Sequence, residues 1–284
     1  MNDRREHVPG GTPNLEDSDR PSEDESLVHH PVFVVGMGRS GTTALQMSLG
    51  QHPLVVASKK ESPFISRIGG LFHGYFAPGA RFRGYCIDSL EIPVAQVYHT
   101  FRTLCYESAI GPTQEPTKTR WCAKTFPTSD EAQGLIELFP NVKFLYILRN
   151  GCDVVRSQMT FPHVSGQEFR TYCEGWTHHV SKYAYLSKHT HAIEVRHEEI
   201  VAAPEQALRN ILNFIGVAEH PSCVEFMKTV HVHPLDQPTQ GGVDVNKVMG
   251  LRPPAYSTWS AEQRDTFKGV CGEAMCACGY QIPF

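Results

Sequence analysis

None of the nine cysteines in this 284-residue chain forms a CxxC pair, the nearest two being Cys276 and Cys278. That lack excludes the usual zinc-ribbon and dithiol-redox patterns. It predicts small buried thiols, Cys122 and Cys152 among them, in a reducing compartment. No stretch approaches the ~18 apolar residues of a membrane span, and the first thirty residues lack the apolar run of a secretory signal. The expectation is a soluble, cytoplasmic protein. Positive charge is scarce too: residues 1–30 hold eight acidic and three basic side chains, so the formal −4 of the whole leaves about +1 on residues 31–284. A nearly neutral body excludes long tracking along nucleic acid and suits a compact anionic ligand. There is no internal repeat. The histidine pairs His178/His179, His189/His191 and His231/His233 have no Cys or carboxylate at a structural-site spacing, so no metal is assigned.

What is present divides the chain in two. Residues 1–30, rich in Asp, Glu, Ser, Pro and Gly, cannot bury enough surface to offset the entropy of ordering and read as a disordered acidic tail. Residues 31–284 are long enough for one domain with a large core. Five short apolar runs, Val32–Val35, Leu54–Ala57, Trp121–Lys124, Phe144–Leu148 and Ala192–Val195, read as buried parallel strands separated by helical material, which is an α/β plan with a central parallel sheet. Helical stripes occur at Leu208, Ile211, Leu212 and Ile215 between Pro204 and Gly216, and at Phe169, Tyr172, Trp176, Val180 and Tyr183, where Trp176 reads as a packing residue. A third stripe, Phe267, Val270 and Ala274, follows a Ser260/Gln263 capping box and stops at Gly279. Two insertions without clean periodicity, residues 62–113 and 225–258, are expected over the carboxyl ends of the strands, where they would build the second substrate's site.

The segment Phe33-Val-Val-Gly-Met-Gly-Arg-Ser-Gly-Thr-Thr-Ala-Leu45 runs from a buried strand through a glycine-rich turn into a helix. In such a turn successive backbone N–H groups converge on one anion, and the helix N-terminus adds its partial positive charge. Gly36 and Gly41 keep the spacing of a triphosphate-binding loop, GxxxxGK[ST], but Thr42 stands in place of the lysine and the cation is Arg39 within the loop. The site is built for a single 5′-phosphate and its substituent, not for the β/γ-phosphates of ATP. In a second segment, Phe144 to Ser157, a strand delivers Arg149 at its carboxyl end, and Ser157 lies about two helical turns on. Those two side chains can close on a second anion, although an arginine at a strand tip also pairs readily with a carboxylate such as Asp153. Two phosphate sites imply a bisphosphorylated nucleotide.

At these motifs the chain resembles the sulfotransferase superfamily, whose donor is 3′-phosphoadenosine 5′-phosphosulfate (PAPS) and whose nucleotide product is adenosine 3′,5′-bisphosphate (PAP). Gly-Met-Gly-Arg-Ser-Gly-Thr-Thr is similar to the 5′-phosphosulfate loop, Arg149 with Ser157 to the 3′-phosphate motif, and Val195-Arg-His-Glu-Glu-Ile-Val-Ala-Ala-Pro-Glu205 to the strand-then-helix segment that follows. Trp259 and Cys278-Gly-Tyr280 resemble the C-terminal helix. The arginine loop followed by Gln51-His-Pro53 is nearest to the tyrosylprotein and carbohydrate branch. The resemblance implies that Gly38, Arg39, Ser40, Gly41, Thr42 and Thr43 hold the 5′-phosphate and sulfuryl group, that Arg149 and Ser157 hold the 3′-phosphate, and that Lys124 lies beside the transferring group. It implies no metal, because a sulfuryl group carries one negative charge fewer than a phosphoryl and cationic side chains suffice.

A general base must take the acceptor's proton. The aryl branch usually places a histidine after the Lys-Thr pair, where this chain has Phe126. The arginine-loop branch uses a glutamate at the end of the second strand, close to Glu61, which stands one residue further from the loop than that pattern. Glu61 either serves as the base or balances Lys59 and Lys60. His197, where relatives often have tyrosine, either bonds near the nucleotide or caps the following turn. The reaction expected is sulfuryl transfer to a hydroxyl of a small-molecule, lipid or carbohydrate acceptor. The alternatives are a nucleotide or small-molecule kinase and a non-catalytic nucleotide-binding module. Phe64, Phe72, Tyr75, Phe76, Phe82 and Tyr85 would form an apolar acceptor pocket, and Arg67, Arg81 and Arg83 would meet a charged one. Nothing in the sequence fixes the oligomeric state.

Overall fold

In a computed structural model of the chain, residues 27–87, 92–112, 117–230 and 254–284 are described. The acidic tail through residue 26, most of the 225–258 insertion, and His231 with His233 lie outside these residues. All five expected strands form: β1 (Pro31–Gly36), β2 (Val55–Glu61), β3 (Arg120–Lys124), β4 (Lys143–Leu148) and β5 (Ala192–Arg196). They make one parallel sheet in the order β2-β3-β1-β4-β5. The register sets Phe33 beside Ala123 and Phe144, and Glu61 beside Lys124.

Alternation along each strand splits the core. Phe33, Val35, Trp121, Ala123, Phe144 and Tyr146 point to one face. Val32, Val34, Val55, Cys122, Leu145 and Ile147 point to the other. The second face is covered by α1 (Thr42–Leu49), α8 (His197–Ala202), α9 (Pro204–Ile215) and α10 (Pro221–Val230); the buried stripe of α9 is Leu208, Ile211, Leu212 and Ile215, and the helix stops at Gly216 with φ 73°. The first face carries α5 (Ser129–Leu138), α6 (Gly151–Met159), α7 (Phe169–Tyr183) and the C-terminal α11 (Ala261–Ala277). The capping box at Ser260 and Gln263 forms as expected. The buried stripe of α11 is Phe267, Cys271 and Met275, with Val270 and Ala274 at its edge.

Residues 62–113 depart from the expectation of an irregular insertion. They form α2 (Pro63–Tyr75), the short α3 (Arg83–Cys86) and α4 (Val94–Ala109), and α2 lies along α5 on the first face. Periodicity misses α2 because two glycines occupy its contact stripe: Gly69 and Gly134 of α5 meet so closely that a Cβ on either would strike the other helix's backbone. Phe72 is accordingly a core residue, fully buried between Phe76, Tyr98 and Phe101, and does not line an acceptor pocket. Phe64, Tyr75, Phe82 and Tyr85 are exposed. All nine cysteines are free, and six of them, Cys122 and Cys152 included, are buried.

Leu212 is buried at the centre of the α9 stripe. Leu212→Ala should cost about 3 kcal/mol, the usual range for an unrelaxed leucine cavity, read as a lower urea midpoint with an unchanged m-value.

Candidate functional site

The carboxyl ends of β1 to β5 share one edge of the sheet, and each supplies part of the site. Beyond β1 the chain passes through Gly36 (φ 146°), where a Cβ would lie 2.5 Å from the carbonyl oxygen of Ile147 on β4. No other residue fits that approach. Arg39 sits at φ 74° and Gly41 at φ 95°, so the turn coils back on itself; a left-handed arginine costs about 1 kcal/mol or more and is held by the contacts it makes. Gly41 is the N-cap of α1 and provides no side chain to bond that helix's first N–H groups, which leaves them available to an anion. Ser40 and Thr42 are buried in the turn, with the Thr42 methyl turned toward Gly36, whereas Gly38 and Thr43 face solvent.

The arginine of the turn does not extend freely. Its Nε donates to Ser157 Oγ at 3.1 Å, and its guanidinium stacks 4.0 Å above the ring of Phe161. Burial lowers its pKa. Arg149, delivered by β4, donates from Nη1 to the Arg39 carbonyl at 2.8 Å, while its Nε is sealed from solvent without a hydrogen-bond partner. Burial also lowers the Arg149 pKa, with Asp153 and Glu198 opposing that shift and Arg156 and Arg39 adding to it. The two expected phosphate motifs are thus joined: Ser157 meets Arg39, and Arg149 meets the Arg39 backbone.

On the other side of β1, Lys124 leaves the tip of β3 almost fully buried. Its Nζ donates to Thr43 Oγ1 at 2.8 Å and pairs with Glu61 Oε1 at 2.7 Å. Glu61 reaches it because β2 is bulged between Ala57 and Glu61, with Ser58 bonding Lys60 in both directions and Gln46 holding the Ser58 carbonyl. The bulge absorbs two residues of β2, which takes four steps from Ala57 to Glu61 while β3 takes two from Cys122 to Lys124. It brings the Glu61 carboxylate to the strand end opposite Lys124. Lys59 and Lys60 are exposed and project from the bulged stretch. Phe126 N–H bonds Ser66 Oγ, and the Lys182 ammonium caps the Phe126 carbonyl at 2.9 Å.

Four residues at this edge escaped sequence reasoning or had their roles left open. Phe161 carries no local signal, since its meaning depends on the turn that brings it under Arg39. His197 begins α8, and its Cδ2 would be 2.8 Å from a Cβ on Gly41, so it packs against the phosphate turn. Glu198 accepts from the Asn150 N–H at 2.8 Å and from the Tyr280 hydroxyl at 3.0 Å. Trp176, buried in the core as expected, also donates its indole N–H to the Arg149 carbonyl at 3.2 Å. Of the three arginines read as open to a charged acceptor, Arg67 pairs with Glu131, Arg83 bonds the Phe76 carbonyl and Arg81 lies over Phe82. Among the described residues no group of three or more His, Cys, Asp or Glu side chains is placed to hold a metal ion, and no helix is long and apolar enough to cross a membrane.

A family model described as "Sulfotransferase family" matches residues 31–221. The chain belongs to the sulfotransferase family. A protein-tyrosine sulfotransferase of Drosophila melanogaster is 26% identical over 238 residues, covering 80% of this chain and 46% of that protein. Protein-tyrosine sulfotransferase 2 of Gallus gallus is 25% identical over 224 residues, covering 76% and 57%. The chain spans about half the length of these curated relatives. Among solved structures, mouse sulfotransferase SULT7A1 complexed with PAP superposes with a TM-score of 0.53 at 15% identity, covering 87% of this chain and 84% of that one. The parallel five-stranded sheet is therefore the sulfotransferase fold.

The turn's two glycines of the Gly38/Gly41 pair differ sharply in room. A Cβ on Gly38 meets nothing within 4 Å, whereas one on Gly41 strikes the His197 ring and must adopt φ 95°. Gly38→Ala should leave the melting temperature within about 2 °C, while Gly41→Ala should lower stability by about 1–3 kcal/mol, both read by thermal unfolding.

Proposed function

We propose that the chain transfers a sulfuryl group from PAPS to a hydroxyl acceptor. The observation that carries this reading is the continuous line of contacts from Glu61 through Lys124 to Thr43, and from Arg39 to Ser157 and Arg149. It sets one carboxylate and three cations along the sheet edge, around a turn whose helix N-terminus is uncapped. The residues present fit a bisphosphorylated nucleotide. The unpartnered, water-excluded Arg149 Nε is a donor waiting for an acceptor, and an unmet donor in such a place is costly unless a ligand completes it.

In this reading Gly38 to Thr43 hold the 5′-phosphosulfate and Arg149 with Ser157 hold the 3′-phosphate. PAPS supplies an activated sulfuryl group and a stable leaving group. The protein's part is to place the acceptor, take its proton and meet the charge that develops. Glu61, with more than half of its side chain exposed and only Oε1 engaged by Lys124, has Oε2 open toward an incoming hydroxyl. Lys124, held by Thr43 and Glu61, is fixed where it neutralises charge on the transferring and leaving oxygens without reorganising. Phe64, three residues beyond Glu61, is exposed in the first turn of α2. An exposed aromatic ring this close to the base along the chain suits a phenol, and the curated relatives are named protein-tyrosine sulfotransferases. A phenolic hydroxyl, free or in a peptide, is therefore the acceptor class to assay first.

Calorimetric titration without metal tests the donor. PAP should bind at least about tenfold more tightly than 5′-AMP or ATP, since charge-assisted bonds to a buried guanidinium are worth about 1.5–3 kcal/mol. Arg149→Ala should erase that preference. Preference for ATP would favour a kinase and overturn the proposal. Glu61→Gln should lower PAPS-dependent sulfation of phenols by about 10²- to 10⁴-fold, the usual worth of a positioned base. It should leave PAP affinity within about threefold; turnover equal to the parent's would remove Glu61 from the chemistry.

A further inference from the structure

The C-terminus reaches back to the Arg149 turn through two residues whose side chains have no role in the preceding mechanism. Helix α11 ends in a paired bond pattern, Gly279 N–H to the Cys276 carbonyl and Tyr280 N–H to the Met275 carbonyl, both 2.9 Å, with Gly279 at φ 73°. This closure turns Tyr280 off the helix axis and toward β5. Arg196 at the end of β5 donates to the Cys278 carbonyl at 2.8 Å and lies 5.1 Å from the centre of the Tyr280 ring, which fixes the ring in place. The Tyr280 hydroxyl then donates to Glu198 Oε2 at 3.0 Å, and Glu198 Oε1 accepts from the Asn150 N–H at 2.8 Å.

Asn150 follows Arg149 directly and is the N-cap of α6, accepting from the Cys152 N–H through its own side chain. The same turn is gripped from the other side: Trp176 bonds the Arg149 carbonyl, and the Met275 sulfur would be 3.1 Å from a Cβ on Gly151. Met275 in the last turn of α11 therefore packs beside Gly151, while Trp176 of α7 holds the Arg149 carbonyl and Tyr280 reaches Asn150 through Glu198. Tyr280 lies beyond the segment matched by the family model. We propose that Glu198 and Tyr280 are positioning residues, a C-terminal latch that holds the Arg149–Asn150 turn so that the guanidinium meets the nucleotide's 3′-phosphate. The proposal rests on the nucleotide reading given above.

A latch acts only on the 3′-phosphate, so its signature is the ratio of the Kd for 5′-AMP to the Kd for PAP, measured by calorimetry on the full chain together with the melting temperature. The wild-type ratio comes first: a ratio near one overturns the nucleotide reading, and the latch falls with it. With a wild-type preference for PAP, Tyr280→Phe should reduce the ratio about threefold and Glu198→Ala about tenfold, with 5′-AMP affinity unchanged. Glu198→Gln, whose amide oxygen can accept from the Asn150 N–H while its NH2 group donates to the Tyr280 oxygen, should restore most of it. Adding Tyr280→Phe to Glu198→Ala should lower the ratio no further, because both act through one path. A fall in melting temperature with an unchanged ratio in Tyr280→Phe would make these contacts merely structural and overturn the proposal. That variant removes one hydroxyl at a half-buried site, so it decides the matter even where Glu198→Ala does not fold.

Discussion

A nearly buried ammonium cannot stand alone, and Lys124 is where this constraint falls. Its side chain is only 7% exposed, and it is satisfied by a hydroxyl from the start of α1 and a carboxylate from the end of β2. Removing a charge from water costs several kcal/mol unless partners replace the lost solvation. Three separately folded pieces of chain must therefore arrive at the same place: the phosphate turn after β1, the bulged end of β2 and the tip of β3. The bulge is the element that makes this possible. Without it Lys59, not Glu61, would stand opposite Lys124. The Gln46 and Ser58 bonds that fix the bulge thus belong to the chemistry of the site as much as to the architecture of the strand.

The parallel strands and the turn after β1 were legible because local rules decide them. Strands buried on both faces read as apolar runs, and only glycine can pass Gly36 beneath the Ile147 carbonyl. Helix α9 was legible for the same reason, with a clean stripe, a proline at its start and a left-handed glycine at its end. α2 was not, because its closest contact is made by the absence of side chains, and a pattern of apolar residues cannot register a glycine pair seated on another helix. Glu61 was visible as a candidate, but its pairing with Lys124 was not, since a bulge leaves no mark in the alternation of a short strand. Phe161, Glu198 and Tyr280 owe their contacts to parts of the chain 48 to 122 residues away, separations over which local pattern carries no information.

Many site contacts are between a side chain and the backbone of a turn: Arg149 to the Arg39 carbonyl, Trp176 to the Arg149 carbonyl, Glu198 to the Asn150 N–H. Such bonds fix where a turn lies while leaving its own side chain free for a ligand. This explains why Trp176 can be a core residue by every measure of burial and still act on the site through one indole N–H. Packing and preorganisation are here the same interaction seen from its two ends.

The two arginines carry the last step. Arg39 stands close enough to Arg149 to disfavour its charge, and what faces the two among the described contacts is neutral: a serine hydroxyl, a phenyl ring and a carbonyl oxygen. The carboxylates of Asp153 and Glu198 lie behind Arg149 and offset part of its burial. Partial compensation leaves a net positive, water-poor site whose repulsion is relieved only when an anion enters between the guanidinium groups. Since Arg39 belongs to the first phosphate turn and Arg149 to the second, an anion at either place weakens the repulsion felt at the other. On the proposed reading, a ligand carrying both charges on one ribose would gain at each place from its charge at the other, and this would favour a bisphosphorylated nucleotide over a mononucleotide.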